Sequence, residues 1–213
     1  MCRHFREDFG LETRIARFHN VYGSFGIYKG GREKAPAAIC RKVIEAKLTN
    51  NQRIEIWGDG KQTRSFTYID DCIKGIQDIM FSEITEPVNL GSSEMVTVNQ
   101  LVDTIEEIAG IRLKRNYNLS APKGVNGRNS DNTLIKHHLA WEPNTKLRIG
   151  LEKTYQWIYE QMAKEFNIKT KVSLPNESER FSSKQSSSSN KSVKLDKEIN
   201  KDIKQPNLLT QPS

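Results

Sequence analysis

The chain has 213 residues, 33 of them Lys or Arg against 26 Asp or Glu, for a formal charge of +7. That length supports one good core with at most a small satellite domain. The modest basic excess, with no interleaving of basic and aromatic residues, gives no case for nucleic acid as a partner, and no apolar run reaches the ~20 residues of a membrane span.

From residue 171 onward eight basic residues stand against five acidic ones, so the tail carries +3 and the rest +4. A mean hydropathy of −0.67 is low for a chain that packs throughout and points to a disordered part. Cys2, Cys40 and Cys72 form no CxxC pair and read as reduced thiols of a cytoplasmic protein. Cys40 suits core packing. The opening Met1-Cys2-Arg3-His4 is polar and charged, unlike a secretory signal.

Residues 1–9 have the pattern of an amphipathic helix with Gly10 as its stop. Residues 13–18 fit a buried parallel strand whose C-terminal end opens into a site; Asn20 stands at that end, as turn former or as a polar ligand to sugar or phosphate. A glycine-punctuated loop follows (Gly23, Gly26, Gly30, Gly31) and enters a helix over 35–47 at Ala35-Pro36-Ala37-Ala38, where proline suits the first turn. Lys34 is thereby delivered to a helix N-terminus, whose amides and partial charge favour anions. The same field should lower a lysine's proton affinity, which proton exchange near neutral pH requires. By spacing alone the loop reads equally well as an ordinary solvated surface, and Lys42 as a solvated helix position.

Asn50-Asn51 marks a turn, residues 53–57 a short alternating strand, and Gly58-Asp59-Gly60 a second turn. Arg64 then enters a short strand, placed either to contact a phosphate or to pair with Asp70 or Asp71. One of those aspartates is expected to cap a helix running to about Met80. Residues 87–91 read as a short buried strand. Thr97 with Gln100 forms a capping box for a helix over 98–109, buried through Leu101, Ile105 and Ile108. A strand over 113–117 precedes Gly127-Arg128-Asn129-Ser130-Asp131-Asn132 and a short helix that Asp131 could cap, so Arg128 and the helix start could face one anion together. His137 and His138 are adjacent, not four apart as a helical metal site prefers, and are assigned no function. Trp141-Glu142-Pro143 reads as a helix stop, and the final helix over 149–164 has Leu151, Tyr155, Ile158 and Met162 on one stripe.

Three blocks carry a resemblance. Arg17-Phe18-His19-Asn20-Val21-Tyr22-Gly23 with Lys29-Gly30-Gly31-Arg32-Glu33-Lys34-Ala35-Pro36, then Trp57-Gly58-Asp59-Gly60 with Gln62-Thr63-Arg64, then the run from Gly127 to Asn132 closely resemble the GDP-mannose 3,5-epimerases. These form a branch of the extended short-chain dehydrogenase/reductases, an NAD-dependent epimerase/dehydratase family. The strand-loop pattern is shared by many nucleotide-sugar enzymes of that family, whereas the Gly-Gly-Arg-Glu-Lys-Ala-Pro block is specific to the epimerase.

The resemblance implies an α/β fold: the C-terminal part of a Rossmann-like extended reductase with its small mixed α/β substrate-binding subdomain, over residues 1–174. A disordered Ser/Lys/Asn-rich tail over 175–213 follows. It implies Lys34 as a catalytic acid/base, with Asn20, Glu33, Lys34, Ala35, Lys42, Gln62, Thr63, Arg64 and Arg128 binding the substrate, GDP-mannose or a related nucleotide-sugar. NAD would be the cofactor, oxidising the sugar transiently at C4 while C3 and C5 epimerise to give GDP-L-galactose. A homodimer is possible in the full-length form. Ser178 is a weak match to a substrate-contacting serine. The glycine-rich dinucleotide loop, the Tyr-x-x-x-Lys pair and the partner cysteine of this family find no match in the sequence, so the chain is expected to be a fragment, inactive alone. Alternative readings are another extended reductase (a nucleotide-sugar 4-epimerase or 4,6-dehydratase), a non-catalytic nucleotide-sugar-binding or interaction module, and a remnant that does not fold.

Overall fold

Apolar residues at helical and strand spacing build a mixed α/β unit in the computed structural model, which describes residues 1–122 and 124–166. The tail expected over 175–213, with Ser178, lies outside the described residues.

Helix α1 (Cys2–Phe9) is closed by Gly10 at φ 65°, a left-handed geometry that glycine adopts without strain. It leads to strands β1 (Ala16–Phe18) and β2 (Val21–Tyr22), then helix α2 (Ala35–Leu48). Strands β3 (Arg53–Trp57), β4 (Thr63–Ser65) and β5 (Thr67–Tyr68) precede helix α3 (Ile69–Met80). Strands β6 (Val88–Leu90) and β7 (Met95–Thr97) flank the next turn and feed helix α4 (Val98–Ala109). Strands β8 (Lys114–Asn118) and β9 (Gly127–Arg128), then helices α5 (Thr133–Leu139) and α6 (Leu147–Glu165), complete the order.

The strands pair across long stretches of sequence. β1 runs parallel to β6, β2 to β5 and β3 to β8, while β4 lies between antiparallel β7 and parallel β9. The main core sits where α2, α4 and α6 meet: Val43, Ile44, Leu101, Ile105, Leu151 and Ile158 are fully buried there, and the stripe expected on the last helix is the face it buries. A second cluster joins α3, β6 and α5 through Ile79, Val88, Leu90 and Ile135. Burial of this kind contributes roughly 1.5–3 kcal/mol per large aliphatic side chain. Glycine at 150 lets α6 approach β2 and β5, since a Cβ there would lie 2.2 Å from the Tyr22 hydroxyl and 2.7 Å from Tyr68.

Several local expectations need correction. β1 is parallel as expected but not buried: Phe18 is 56% exposed, because β6 is its one ladder neighbour among the described residues. Neither Asp70 nor Asp71 caps α3, whose N-cap is Tyr68 with no side-chain bond. Asp71 instead accepts from the Thr145 amide (2.8 Å) and hydroxyl (2.9 Å), bolting α3 to the segment before α6. Asp70 lies 3.8 Å from Lys153. The capping box of α4 is present as read, with Gln100 N 3.0 Å from Thr97 Oγ1 and Thr97 N 2.8 Å from Gln100 Oε1. α5 ends at Leu139, before Trp141, on Ala140 in a left-handed conformation. No helix among the described residues is long and apolar enough to cross a membrane.

Candidate functional site

The candidate residues fall into two groups. The first sits on α2 and the loop before it. Lys34 is the N-cap of α2, exposed, with an extended backbone, and its carbonyl accepts from the Ala38 amide at 3.0 Å. Ala35 is the first helical residue and Pro36 the second, both positions whose amide would have no intrahelical acceptor. Glu33 is turned inward, its side chain 10% exposed: one oxygen accepts from the Gly31 amide at 2.7 Å, the other lies 3.5 Å from Arg41. Backbone amide donors, with help from Arg41, hold its carboxyl below the usual glutamate range despite burial.

Arg41 in turn donates to the Tyr28 carbonyl at 3.0 Å, and Lys29 reaches Glu165 of α6 at 2.6 Å. The glycine-punctuated loop is therefore anchored at Tyr28 and Lys29 in its middle and at Glu33 near its end. Lys42, two turns along α2, donates to the Glu55 carbonyl of β3 at 3.0 Å. Gln62 donates to the Trp57 carbonyl at 3.0 Å. The Lys42 contact lies beside a shallow depression lined by Glu55, Asn116, Tyr117, Asn118 and Leu119.

The second group sits on the β7–β4–β9 ladder. Thr63 pairs with Gly127, and Arg64 pairs in register with Arg128 across parallel strands. Register partners on parallel strands project from the same face, so two guanidinium-bearing side chains from distant parts of the sequence leave the sheet side by side. Arg64 Nη1 donates to the Thr63 carbonyl at 2.7 Å, and a Cβ on Gly124 would lie 3.5 Å from Arg64 Nη2, so the 124–126 loop borders it. Asn20, in a left-handed conformation at φ 40°, donates to the Ser65 carbonyl at 3.1 Å and so adjoins the same strand.

The helix start proposed to share an anion with Arg128 does not do so through its first amide. Asp131 accepts from the Thr133 amide at 3.0 Å and its hydroxyl at 2.7 Å, and these donors lower its carboxyl pKa. Lys34 stands at the N-cap of α2, on a different element from the β4 and β9 strands that carry the two arginines. His19 is a residue the sequence reading passed over. It lies close enough to Arg128 that the guanidinium adds to burial in lowering its proton affinity. Its place in Arg17-Phe18-His19-Asn20 beside a recognised polar position was the available signal.

Cys40 is fully buried, which pushes its thiol well up; burial raises Cys72 as well. Neither suits proton exchange. No group of three His, Cys, Asp or Glu among the described residues could hold a metal.

Residues 1–91 match the NAD dependent epimerase/dehydratase family. The chain is 51% identical over 174 residues to GDP-mannose 3,5-epimerase of Arabidopsis thaliana, covering 82% of this chain and 45% of that protein. Among solved structures, UDP-glucose 4-epimerase of Thermotoga maritima with UDP-glucose is 28% identical with a TM-score of 0.68, over 75% of this chain and 50% of that one. UDP-glucuronic acid 4-epimerase of Bacillus cereus, in complex with UDP-glucuronic acid and NAD, is 27% identical with a TM-score of 0.62, over 76% and 49%. The chain thus spans about half the length of the relatives it matches. Over the matched residues it belongs to the NAD dependent epimerase/dehydratase family, with the Rossmann-like α/β fold of those epimerases.

The family's cofactor can be tested against the residues present. A dinucleotide pyrophosphate sits where a strand passes through a tight glycine turn directly into a helix. Among the described residues no strand does so: β5 and β7 run into α3 and α4 without a glycine, and twelve residues separate β2 from α2. These residues do not form an NAD pyrophosphate site.

Proposed function

We propose that this chain binds a nucleotide-sugar through its diphosphate, and that it does so as part of an enzyme of the GDP-mannose 3,5-epimerase type, which converts GDP-mannose to GDP-L-galactose. The observation that carries the reading is the in-register pair Arg64 and Arg128. Like charges directly opposite on a ladder oppose one another, so a diphosphate laid across both would relieve the repulsion. It would also gain charge-assisted, fork-shaped hydrogen bonds. Support for GDP-mannose as the ligand comes from the 51% identity to the plant epimerase. Support for a nucleotide-sugar in general comes from the UDP-sugars held by the two structural relatives.

In this reading Lys34 is the acid/base group. Once the sugar carries a ketone at C4, the Lys34 amine takes the proton from an adjacent carbon and the electron pair delocalises onto the ketone oxygen; inversion is completed by a proton delivered to the other face from a second acid, a role assigned to no described residue. The hydride chemistry that NAD supplies to such enzymes is assigned to no described residue. Neither buried cysteine is offered as the partner of Lys34. Free thiols at all three cysteines suit a cytoplasmic setting. A second reading, nucleotide-sugar binding without turnover, is favoured by the misfit between these residues and a dinucleotide.

Calorimetric titration of the chain with GDP-mannose tests the first claim. Binding is expected without NAD, and Arg64→Ala or Arg128→Ala should each weaken it at least tenfold, the scale of one lost charge-assisted bond. Undiminished binding in both variants would remove the basis of the reading. Turnover on adding NAD would decide for catalysis over binding alone.

A further inference from the structure

We propose that the depression at the ends of β3 and β8 is a nucleobase seat that selects guanine, with the Glu55 carboxylate as the reading group. The proposal rests on the diphosphate reading above and deepens it, from a nucleotide-sugar of any base to a guanosine one.

Strand pairing brings the residues together. β3 and β8 run parallel, with Glu55 opposite Asn116 and Trp57 opposite Asn118. Ile54 and Ile56 are buried, so Glu55 and Trp57, which alternate with them, face outward with their register partners. Glu55, Asn116 and Asn118 line the depression with Tyr117 and Leu119. It thus lies at the carboxyl ends of two parallel strands, where open α/β sheets hold ligands. Both strands then lead towards the arginines. The Gly58 amide donates to the Asn118 carbonyl at 2.8 Å, and further on the Thr63 amide donates to the Asn126 carbonyl at 2.8 Å. The segments 57–63 and 118–127 are therefore joined at both ends, and they connect the depression to the ladder that carries Arg64 and Arg128. A base at one end and a diphosphate at the other is the layout of a nucleotide.

The hydrogen bonds in the depression have a direction. The Ser120 hydroxyl donates to Asn118 Oδ1 at 2.7 Å, and Asn118 Nδ2 donates to Glu55 Oε1 at 2.9 Å. This relay fixes the Asn118 amide and leaves Glu55 Oε2 without a hydrogen bond among the described residues. Lys42 holds the Glu55 carbonyl at 3.0 Å and not its carboxylate. A carboxylate accepts and cannot donate. Guanine offers it two adjacent donors, N1–H and the N2 amine, whereas adenine sets an acceptor nitrogen beside its amine. The single N–H of uracil lies between two carbonyl oxygens, which a carboxylate repels. Trp57, 54% exposed, presents an indole beside Asn118 on which any base can stack. Stacking holds a base there, and Glu55 chooses which.

The test is calorimetric titration of the full chain with GDP, inosine diphosphate, UDP, guanosine and inorganic pyrophosphate. The wild type should bind inosine diphosphate, which lacks the N2 amine, about fivefold more weakly than GDP, and UDP roughly tenfold more weakly or worse. Glu55→Gln should weaken GDP by roughly tenfold and leave pyrophosphate unchanged. Trp57→Ala should weaken GDP and UDP alike and again spare pyrophosphate. Should Glu55→Gln fail to fold, the wild-type preference for GDP over inosine diphosphate and the Trp57→Ala pattern carry the test. Equal wild-type affinity for GDP and UDP, or an equal loss of GDP and pyrophosphate in Glu55→Gln, overturns the guanine seat. Pyrophosphate bound while GDP and UDP bind alike would sink this proposal and leave the diphosphate reading standing. Guanosine bound without pyrophosphate would do the reverse.

Discussion

The two halves of the candidate site are held by different means. On α2 the polar groups are largely engaged by the fold: Glu33 by Gly31 and Arg41, Lys42 by the β3 backbone, on a helix rooted in the core through Val43 and Ile44. On the ladder, strands of three and two residues set two arginines side by side. The helix presents one exposed amine at its N-cap, Lys34; the ladder sets two guanidinium-bearing residues in register, Arg64 also donating to the Thr63 carbonyl. An anion has more to gain at the ladder.

That contrast can be broken most forcefully from the core. Ile44→Ala on the buried face of α2 should cost about 2–5 kcal/mol, read as a fall in midpoint of chemical unfolding. Gly150→Ala should cost about 1–3 kcal/mol, because its methyl would overlap the Tyr22 hydroxyl. The ladder variants Arg64→Ala and Arg128→Ala should behave in the opposite sense, leaving the unfolding midpoint level or slightly higher while ligand affinity drops at least tenfold. A large stability loss in either would mean the arginines are structural.

Thr97 sharpens the comparison, since it is at once the N-cap of α4 and the register partner of Thr63. Thr97→Ala should cost about 1 kcal/mol of stability and weaken ligand binding in step if the cap helps place the ladder. The smallest effect is expected at Glu33. Its carboxyl pKa is lowered by folding, so the stability it contributes is present above the ordinary glutamate value and lost as pH falls through the lower folded one. Glu33→Gln should therefore flatten the acid limb of a stability-against-pH curve below about pH 4.5 and change little at pH 7. An unaltered limb would remove Glu33 as the loop's anchor.

Elements that form by local rules were legible in the sequence. The α4 capping box, the glycine ending α1 and the buried stripe of α6 each follow from spacing within one helix. Strands β2, β5, β7 and β9 were not, because two or three residues carry no period and their existence depends on partners far along the chain. Glu106 shows the same limit: it is 1% exposed on α4 yet satisfied by the Leu113 amide at 3.3 Å and Arg112 at 3.2 Å, which no helical wheel announces. The site divides likewise. Arg64 and Arg128 were expected from their motif blocks to meet at one diphosphate, but the strand register that sets them side by side was not legible. The cap expected of Asp70 or Asp71 is absent: Thr145, from another segment, takes the Asp71 carboxylate, and Asp70 faces Lys153.

The parallel pairings set an order of events for a nascent chain. Val21 waits for Thr67, Ala16 for Val88, and Thr63 for Gly127, so each ladder closes a long loop before its bonds offset the entropy lost. While the ribosome has not yet released Arg128, its neighbour Arg64 stands without a second arginine, and no anion has reason to settle there. On the diphosphate reading, the ligand site forms only after Arg128 has emerged, with α5 and α6 still to follow.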